Sequence, residues 1–288
     1  TDDERACHFF IVLPSAPIGA AFLLIGGDKL QSDFEPMIYQ FDRTIKVYPV
    51  GDLHIGAAEC LVSAWKQFKR RLASEPDSYI TIGGDMLNNS TRSSVSNIFE
   101  ETMRPAEQKK WLASQLADVR DKILCVVSGN HEARSGKDAD DQPLYDVCCK
   151  LDIEDRYREN AAFLILRMGK KNGDGIKNPT YTACVTHTTG GGIYTGAAVN
   201  RNERFGMIVD GLDILITHHV HKGIVTKPQK ILFDSHNKKV TVKDFTCVSG
   251  TSWVEYGGYA LRKGLQPASN TRQTINLYRD HKQVEVVW

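Results

Sequence analysis

The sequence predicts an α/β fold built around parallel strands. Three observations carry this prediction. Short β-branched strands alternate with amphipathic helical stretches, glycine follows the first three strands, and carboxylates and imidazoles collect where strands stop. Residues 44–50 (TIKVYPV) read as the first strand, rich in β-branched and aromatic side chains, and stop at Gly51. Residues 57–74 follow a helical period, with Leu61, Trp65, Phe68 and Leu72 on one face. The basic cluster Lys66, Lys69, Arg70 and Arg71 falls largely on the other side and reads as a solvated face rather than a nucleic-acid patch. Residues 78–82 form a second strand, closed by Gly83-Gly84. Pro105 then opens a helix at a favourable first-turn position, with Trp111, Leu112, Leu116 and Val119 on or near its buried stripe. Residues 122–127 (KILCVV) are the third strand.

The second half is richer in strands. Residues 161–168 and 181–186 flank a Gly/Asn/Pro-rich turn at 169–179, and residues 213–217 follow as another strand. Residues 224–233 and 240–248 flank the turn Asp234-Ser235-His236-Asn237. Residues 274–278 and 283–287 close the chain as a hairpin. Without repeats, low-complexity runs or linkers, the chain reads as one domain over residues 44–288, preceded by an extension over residues 1–43.

Composition removes several classes. A chain of 288 residues, 41% hydrophobic, buries about three quarters of its extended surface and needs no disulfide scaffold. With 36 Lys+Arg against 35 Asp+Glu, the net charge of +1 argues against a dedicated polyanion binder and disfavours a processive enzyme on long DNA. The seven cysteines are odd in number and lack zinc-site spacing, which suits reduced thiols in a cytoplasmic protein. Residues 9–26 are apolar, but Pro14, Pro17 and Gly19 interrupt them, and acidic rather than basic residues precede them. No membrane span or secretory leader is expected there.

The polar residues at strand ends carry the chemistry. Asp52 and His54 follow the first strand, Asp85 the second, Asn130 and His131 the third. His187 ends the strand before it, and His219 and His221 end the next. Open α/β sheets bind ligands beyond the carboxyl ends of their strands. Singly, each residue has an ordinary explanation as a turn former, helix cap or hydrogen-bonded histidine. Jointly and in order, they form a constellation. Carboxylate and amide oxygens mixed with four imidazoles suit a pair of borderline or harder divalent ions better than one closed structural zinc. Manganese heads the candidates, and iron, zinc, cobalt or nickel would also be accepted. His218 is given only a structural or supporting place beside His219 and His221.

Asp52-x-His54, Gly84-Asp85, Gly129-Asn130-His131-Glu132, His187 and His219-x-His221 closely resemble the motif series of the calcineurin-like metallophosphoesterases. The resemblance covers about residues 44–255 and implies a four-layer αββα sandwich of two mixed β-sheets flanked by helices. It implies Asp52, His54, Asp85 and His221 as ligands of one metal. Asp85 would bridge to a second metal, completed by Asn130, His187 and His219. It implies His131 as the residue that bonds the phosphate and acts as general acid or transition-state stabiliser, with Glu132 supporting from behind.

Two departures stand out: His218 occupies a position usually held by glycine, and Asp85 lacks the Asp-Arg-Gly continuation of protein Ser/Thr phosphatases. The opening Gly51-Asp52-Leu53-His54-Ile55-Gly56 is nearer the nuclease and phosphodiesterase branches, and the layout also resembles phage and prophage members. Arg134 is a candidate for pairing with a phosphate oxygen, or equally for a surface ion pair. Gly190 and Gly191 are candidates for close backbone approach to a phosphate, or for a plain turn. The expectation is hydrolysis of a phosphoester by in-line attack of a metal-bound hydroxide, on a phosphodiester in a nucleotide or nucleic acid. The alternatives are a phosphomonoesterase with the same site and a non-catalytic scaffold on the same fold.

Overall fold

The structure, a computed structural model, describes residues 33–92, 94, 98–169, 178–190 and 192–288. The apolar stretch at 9–26, Gly191 and most of the turn at 169–179 lie outside the described residues. Along the chain run β1 (Met37–Phe41), β2 (Ile45–Val50), α1 (Val62–Ser74), β3 (Ser78–Gly83), α2 (Pro105–Leu116), β4 (Ile123–Val127), α3 (Glu132–Ala139) and α4 (Pro143–Lys150). There follow β5 (Tyr157–Arg158), β6 (Ala161–Met168), β7 (Thr180–Thr186), α5 (Thr195–Ile208), β8 (Ile214–Thr217), β9 (Ile224–Thr226), β10 (Gln229–Asp234) and β11 (Lys239–Asp244). The chain closes with β12 (Thr246–Ser249), α6 (Gly258–Arg262), β13 (Thr274–Leu277) and β14 (Val284–Val287).

Two mixed six-stranded sheets stack face to face. The first has the order β1-β6-β7-β8-β12-β9 and the second β14-β13-β2-β3-β4-β5. Within the second, β2, β3, β4 and β5 are parallel, so the ends of β2, β3 and β4 point the same way. Within the first, β7, β8 and β12 are likewise parallel.

Side-chain alternation explains the layers. Val47, Leu124 and Val127 from the second sheet meet Leu164, Ala183, Val185 and Ile216 from the first. The opposite face of the second sheet offers Val50, Ile80, Ile82 and Val126 to Trp65, Phe68 and Leu72 of α1, Leu112 and Leu116 of α2 and Val147 of α4. The outer face of the first sheet, Cys184, Leu215 and Cys247, packs on Phe205 of α5 together with Phe245. Helices, sheet, sheet, helix: this is the four-layer sandwich.

Most strands lie within a residue or two of their expected places, and the differences have physical causes. The apolar face of α1 is as read, but the helix starts at Val62 rather than at 57. Residues ahead of it form isolated bridges instead, Ile55 with Leu87 and Cys60 with Val254. The two strands expected at 224–233 and 240–248 are each broken in two. Pro228 has no N–H to give a ladder, and its carbonyl instead accepts the N–H of Phe245 at 3.1 Å. Beyond the break, β10 and β11 form a separate two-stranded ribbon. Residues 37–41, ahead of the boundary expected at 44, run as an edge strand parallel to β6. Helices α3 and α4 are eight residues each, and α5 buries only Ala198, Asn202 and Gly206, a stripe with no hydrophobic period to read. No helix among the described residues is long and apolar enough to cross a membrane.

Candidate metal centre

The parallel strands deliver the constellation to one place. From the second sheet, β2 is followed by Asp52 and His54, β3 by Asp85, and β4 by Asn130 and His131. From the first sheet, β7 is followed by His187, and β8 by His219 and His221. All eight converge. His54 Nε2 is 3.0 Å from His221 Nε2, and His221 Nε2 is 3.4 Å from Asp52 Oδ1. Asn130 Oδ1 is 3.0 Å from His187 Nε2 and 2.7 Å from His219 Nδ1. Between these groups lies Asp85, whose Oδ2 is 3.1 Å from His187 Nε2, 3.9 Å from His131 Nε2 and 4.0 Å from His54 Nε2. Three sets of donors, Asp52-His54-His221, Asp85-His187-His219 and His54-Asp85-His131, each fall within 4.8 Å and are suited to hold a metal ion.

The backbone is bent hard to achieve this. Asp52, His54, Asp85, His219 and His221 all have positive φ, at 51°, 49°, 50°, 81° and 57°. A left-handed residue other than glycine costs roughly 1–2 kcal/mol, so strain is concentrated where the donors are. Hydrogen bonds hold the loops in register: Asp52 N–H to Gly84 carbonyl and His54 N–H to Asp85 carbonyl, both 3.0 Å. The N–H of Trp253 donates to the Asp52 carbonyl at 2.9 Å, and its ring meets Trp65 edge-on at 5.4 Å, anchoring the loop to α1.

Glycine is required at Gly129. A Cβ there would sit 2.2 Å from Asp85 Oδ1 and 2.3 Å from Asp85 N. Glu132 is the buried brace of this corner. Its Oε2 accepts the N–H of Asp85 and of Gly129, both at 2.9 Å, and its Oε1 accepts the N–H of Leu87 at 3.0 Å. Burial, with the Asp85 charge adding, pushes its carboxyl up to about 7.

Hydrogen bonding decides which nitrogens face inward. His187 Nδ1 lies 2.7 Å from the Gly83 carbonyl, and His131 Nδ1 lies 2.8 Å from the Asn88 carbonyl. A carbonyl only accepts, so each Nδ1 carries a proton and each Nε2 is the atom turned toward the cluster. The ring nitrogens of His54 and His221 likewise face each other, an arrangement that calls for a proton or a cation between them. Electrostatics agree. Burial opposes ionisation of Asp52, yet His221 opposite it and the His218 contact hold its carboxyl well below the usual range. Asp85 is lowered too, against its burial, by His187, whose own pKa Asp85 lifts to about 9. Burial lowers His54 and His131. Ionised Asp52 and Asp85 draw protons onto His221 and His187, while burial keeps His54 and His131 low, so the cluster favours positive charge at its centre and offers oxygen and imidazole donors that fit divalent cations.

The remaining expected residues sit around this cluster. Arg134 on α3 places Nη1 3.4 Å from the Asn88 carbonyl that also takes the His131 proton. Arg134 and Gly190 line a cavity of about 940 Å³ into which His54, Asp85, His131 and His219 open. Gly190 has φ 72° and nothing within 4 Å of where a Cβ would be, and its carbonyl accepts from Arg201. Gly191 lies outside the described residues. Sequence reading missed Lys222, Tyr256 and Arg262, which also line the cavity. They come from loops and a one-turn helix, where no periodic signal marks them.

The model of the family described as calcineurin-like phosphoesterase matches residues 45–244. No curated protein gives a significant match. Similar solved structures include a wild-type Vps29 complexed with Zn²⁺ from Entamoeba histolytica, 14% identical, covering 84% of this chain and 98% of that chain at a TM-score of 0.29. Another is the cold-active protein tyrosine phosphatase of a psychrophile Shewanella sp., 13% identical, covering 90% of this chain and 85% of that chain at a TM-score of 0.31. At such scores these likenesses carry no argument about function.

Proposed function

The chain belongs to the calcineurin-like phosphoesterase family and is a metal-dependent phosphoester hydrolase, and from that premise we propose that it cleaves a phosphodiester, in a nucleotide or nucleic acid, at a centre of two divalent ions. The observation that carries the two-ion reading is the position of Asp85. Its carboxylate stands between the Asp52-His54-His221 set and the His187-His219 set, so one residue serves both. Asp52, His54, Asp85 and His221 would hold one ion, and Asp85, Asn130, His187 and His219 the other. Mixed nitrogen and oxygen donors accept manganese, our first choice, as well as iron, zinc, cobalt or nickel. When bound, such a pair supplies an activated water at neutral pH and neutralises phosphoryl charge.

The protein's own residues do the rest. In its doubly protonated form His131 keeps Nδ1–H on the Asn88 carbonyl and turns Nε2–H toward the cavity, placed to give that second proton to the departing oxygen and return to the neutral ring. Arg134, beside it, is placed to pair with a non-bridging phosphoryl oxygen, and Gly190 leaves the cavity mouth open to close backbone approach. The size of the cavity supports a diester. Its 940 Å³ exceed what a small monoester fills, and it shares Lys222, Gln266 and Ala268 with a second hollow of about 400 Å³ that reaches Trp288. The two together give room for both arms of a diester. Cys60, Cys125, Cys148, Cys149, Cys184 and Cys247 are free thiols, which supports a reducing, cytoplasmic setting.

The test is turnover of bis-p-nitrophenyl phosphate against p-nitrophenyl phosphate with manganese added, followed by cyclic nucleotides, DNA and RNA. Preference for the diester is expected, and a strong preference for the monoester would overturn the diesterase reading. Full turnover by Asp85→Asn would overturn the site itself.

A further inference from the structure

His218 stands where the family motif usually has glycine, and the fold has made room for it. The imidazole is completely buried, at 0% exposure. Three glycines close around the ring: an added Cβ would lie 2.4 Å from the ring at Gly51, 2.0 Å at Gly83 and 2.3 Å at Gly250. Gly51 and Gly83 stand at the ends of β2 and β3 in the second sheet. Gly250 and His218 itself stand at the ends of β12 and β8 in the first. The ring therefore fills the seam where the sheets meet, directly behind Asp52.

Filling space does not explain an imidazole. Burying its polar nitrogens unpaired is costly, and an apolar side chain would fill the slot without that cost. Neither ring nitrogen has a well-formed hydrogen bond, and the group facing Nδ1 is the Asp52 carboxylate, with Oδ2 at 3.4 Å. That carboxylate is fully buried and is otherwise approached by the His219 N–H, 3.2 Å from Oδ1 and 3.1 Å from Oδ2, and by His221 Nε2, 3.4 Å from Oδ1. Oδ2 is thus addressed from behind by His218, while Oδ1 faces the ring of His221.

We propose that His218 is a positioning residue: its Nδ1–H fixes the rotation of the Asp52 carboxylate and so sets the affinity of the adjoining metal position. The inference rests on Asp52 being a ligand there. Partners that orient a ligand in this way are worth roughly 10–100-fold in metal affinity. The experiment is titration of metal-stripped full-length protein with Mn²⁺, read by calorimetry, alongside thermal unfolding of each metal-free variant. His218→Leu removes the donor and keeps the bulk, and a weakening of about 10–100-fold is expected. His218→Asn carries an amide N–H near the place of Nδ1 and is expected to recover most of the affinity. His218→Gln carries its amide near the place of Nε2, away from Asp52, and is expected not to.

Wild-type affinity in His218→Leu would overturn the proposal. So would losses that follow metal-free stability across the series regardless of where the amide lies. If the Leu variant does not fold, the Asn and Gln pair decides by the same criterion. Asp52→Asn separates the two levels: undiminished Mn²⁺ binding there would overturn Asp52 as a ligand, and not merely the role of His218.

Discussion

Glu132 offers the sharpest quantitative test of how the corner around Asp85 is built. Its carboxylate is 1% exposed and takes three backbone N–H groups, those of Asp85, Leu87 and Gly129. In Glu132→Ala all three donors lose their acceptor, at about 1–3 kcal/mol each if they stay dry. Water entering the vacated space offsets part of this, so a loss of roughly 3–5 kcal/mol is expected. Glu132→Gln keeps one oxygen. Placed at Oε2, that oxygen still serves Asp85 and Gly129, while the amide NH₂ opposes the Leu87 N–H. One orphaned donor and the lost charge assistance come to roughly 1.5–3 kcal/mol. The assay is urea unfolding of metal-stripped protein followed by far-UV circular dichroism. The Ala variant is expected to lose clearly more than the Gln variant. An Ala variant within about 1 kcal/mol of wild type, or a Gln variant as damaged as Ala, would refute the three-donor account.

Other outcomes follow from the same geometry. His131→Ala should lower kcat by about 10²–10⁴-fold while bound metal, measured by elemental analysis, stays at the wild-type level. Chelation should abolish hydrolysis, and added Mn²⁺ should restore it without a refolding step; activity that survives chelation would contradict the assignment. Away from the site, Asp213 is buried against Lys282 at 2.9 Å and Lys243 at 3.0 Å, and it accepts the Thr182 N–H at 2.9 Å. Burial would raise its pKa, but these partners outweigh it and hold the carboxyl below its ordinary value. Its stabilisation is therefore present above the unfolded pKa of about 4 and is lost as pH falls through the lower folded value. Asp213→Asn should reduce Tm at pH 7, and the gap to wild type should shrink in acid. A gap that stays constant down to the acid limit of folding would exclude this linkage.

The proposed site residues were legible because each is a polar side chain at a strand end, and after β2, β3 and β4 a glycine marks the place. Asp52, Asp85, Asn130 and His187 fall together once the strands are laid parallel. Pro228 is a signal that reading residues 224–233 as one strand passes over, since a residue without an N–H marks where that strand breaks. Other features leave no local mark. Helix α5 presents Ala198, Asn202 and Gly206 to the sheet, and Gly206 is matched to the Phe245 ring rather than to any periodic rule. Lys222, Tyr256 and Arg262 reach the cavity from irregular segments. The slot around His218 is made by glycines nearly 200 residues apart, at Gly51 and Gly250, so only the packed sheets reveal it.

The candidate donors come from both halves of the sandwich: Asp52, His54, Asp85 and Asn130 from the second sheet, His187, His219 and His221 from the first. The second sheet is itself closed by a pairing of Val47 with Ile275, across most of the chain. Contacts so distant in sequence form slowly. The centre therefore exists only after the two halves have docked in register, which makes phosphoester turnover a clock for the last step of folding. It also makes the centre a rivet. An ion that binds only the docked state adds RT ln(1 + [M]/Kd) to its stability, about 2.7 kcal/mol at a hundredfold excess over Kd. Parting the sheets empties the site, whereas the site can be emptied with the sheets still docked.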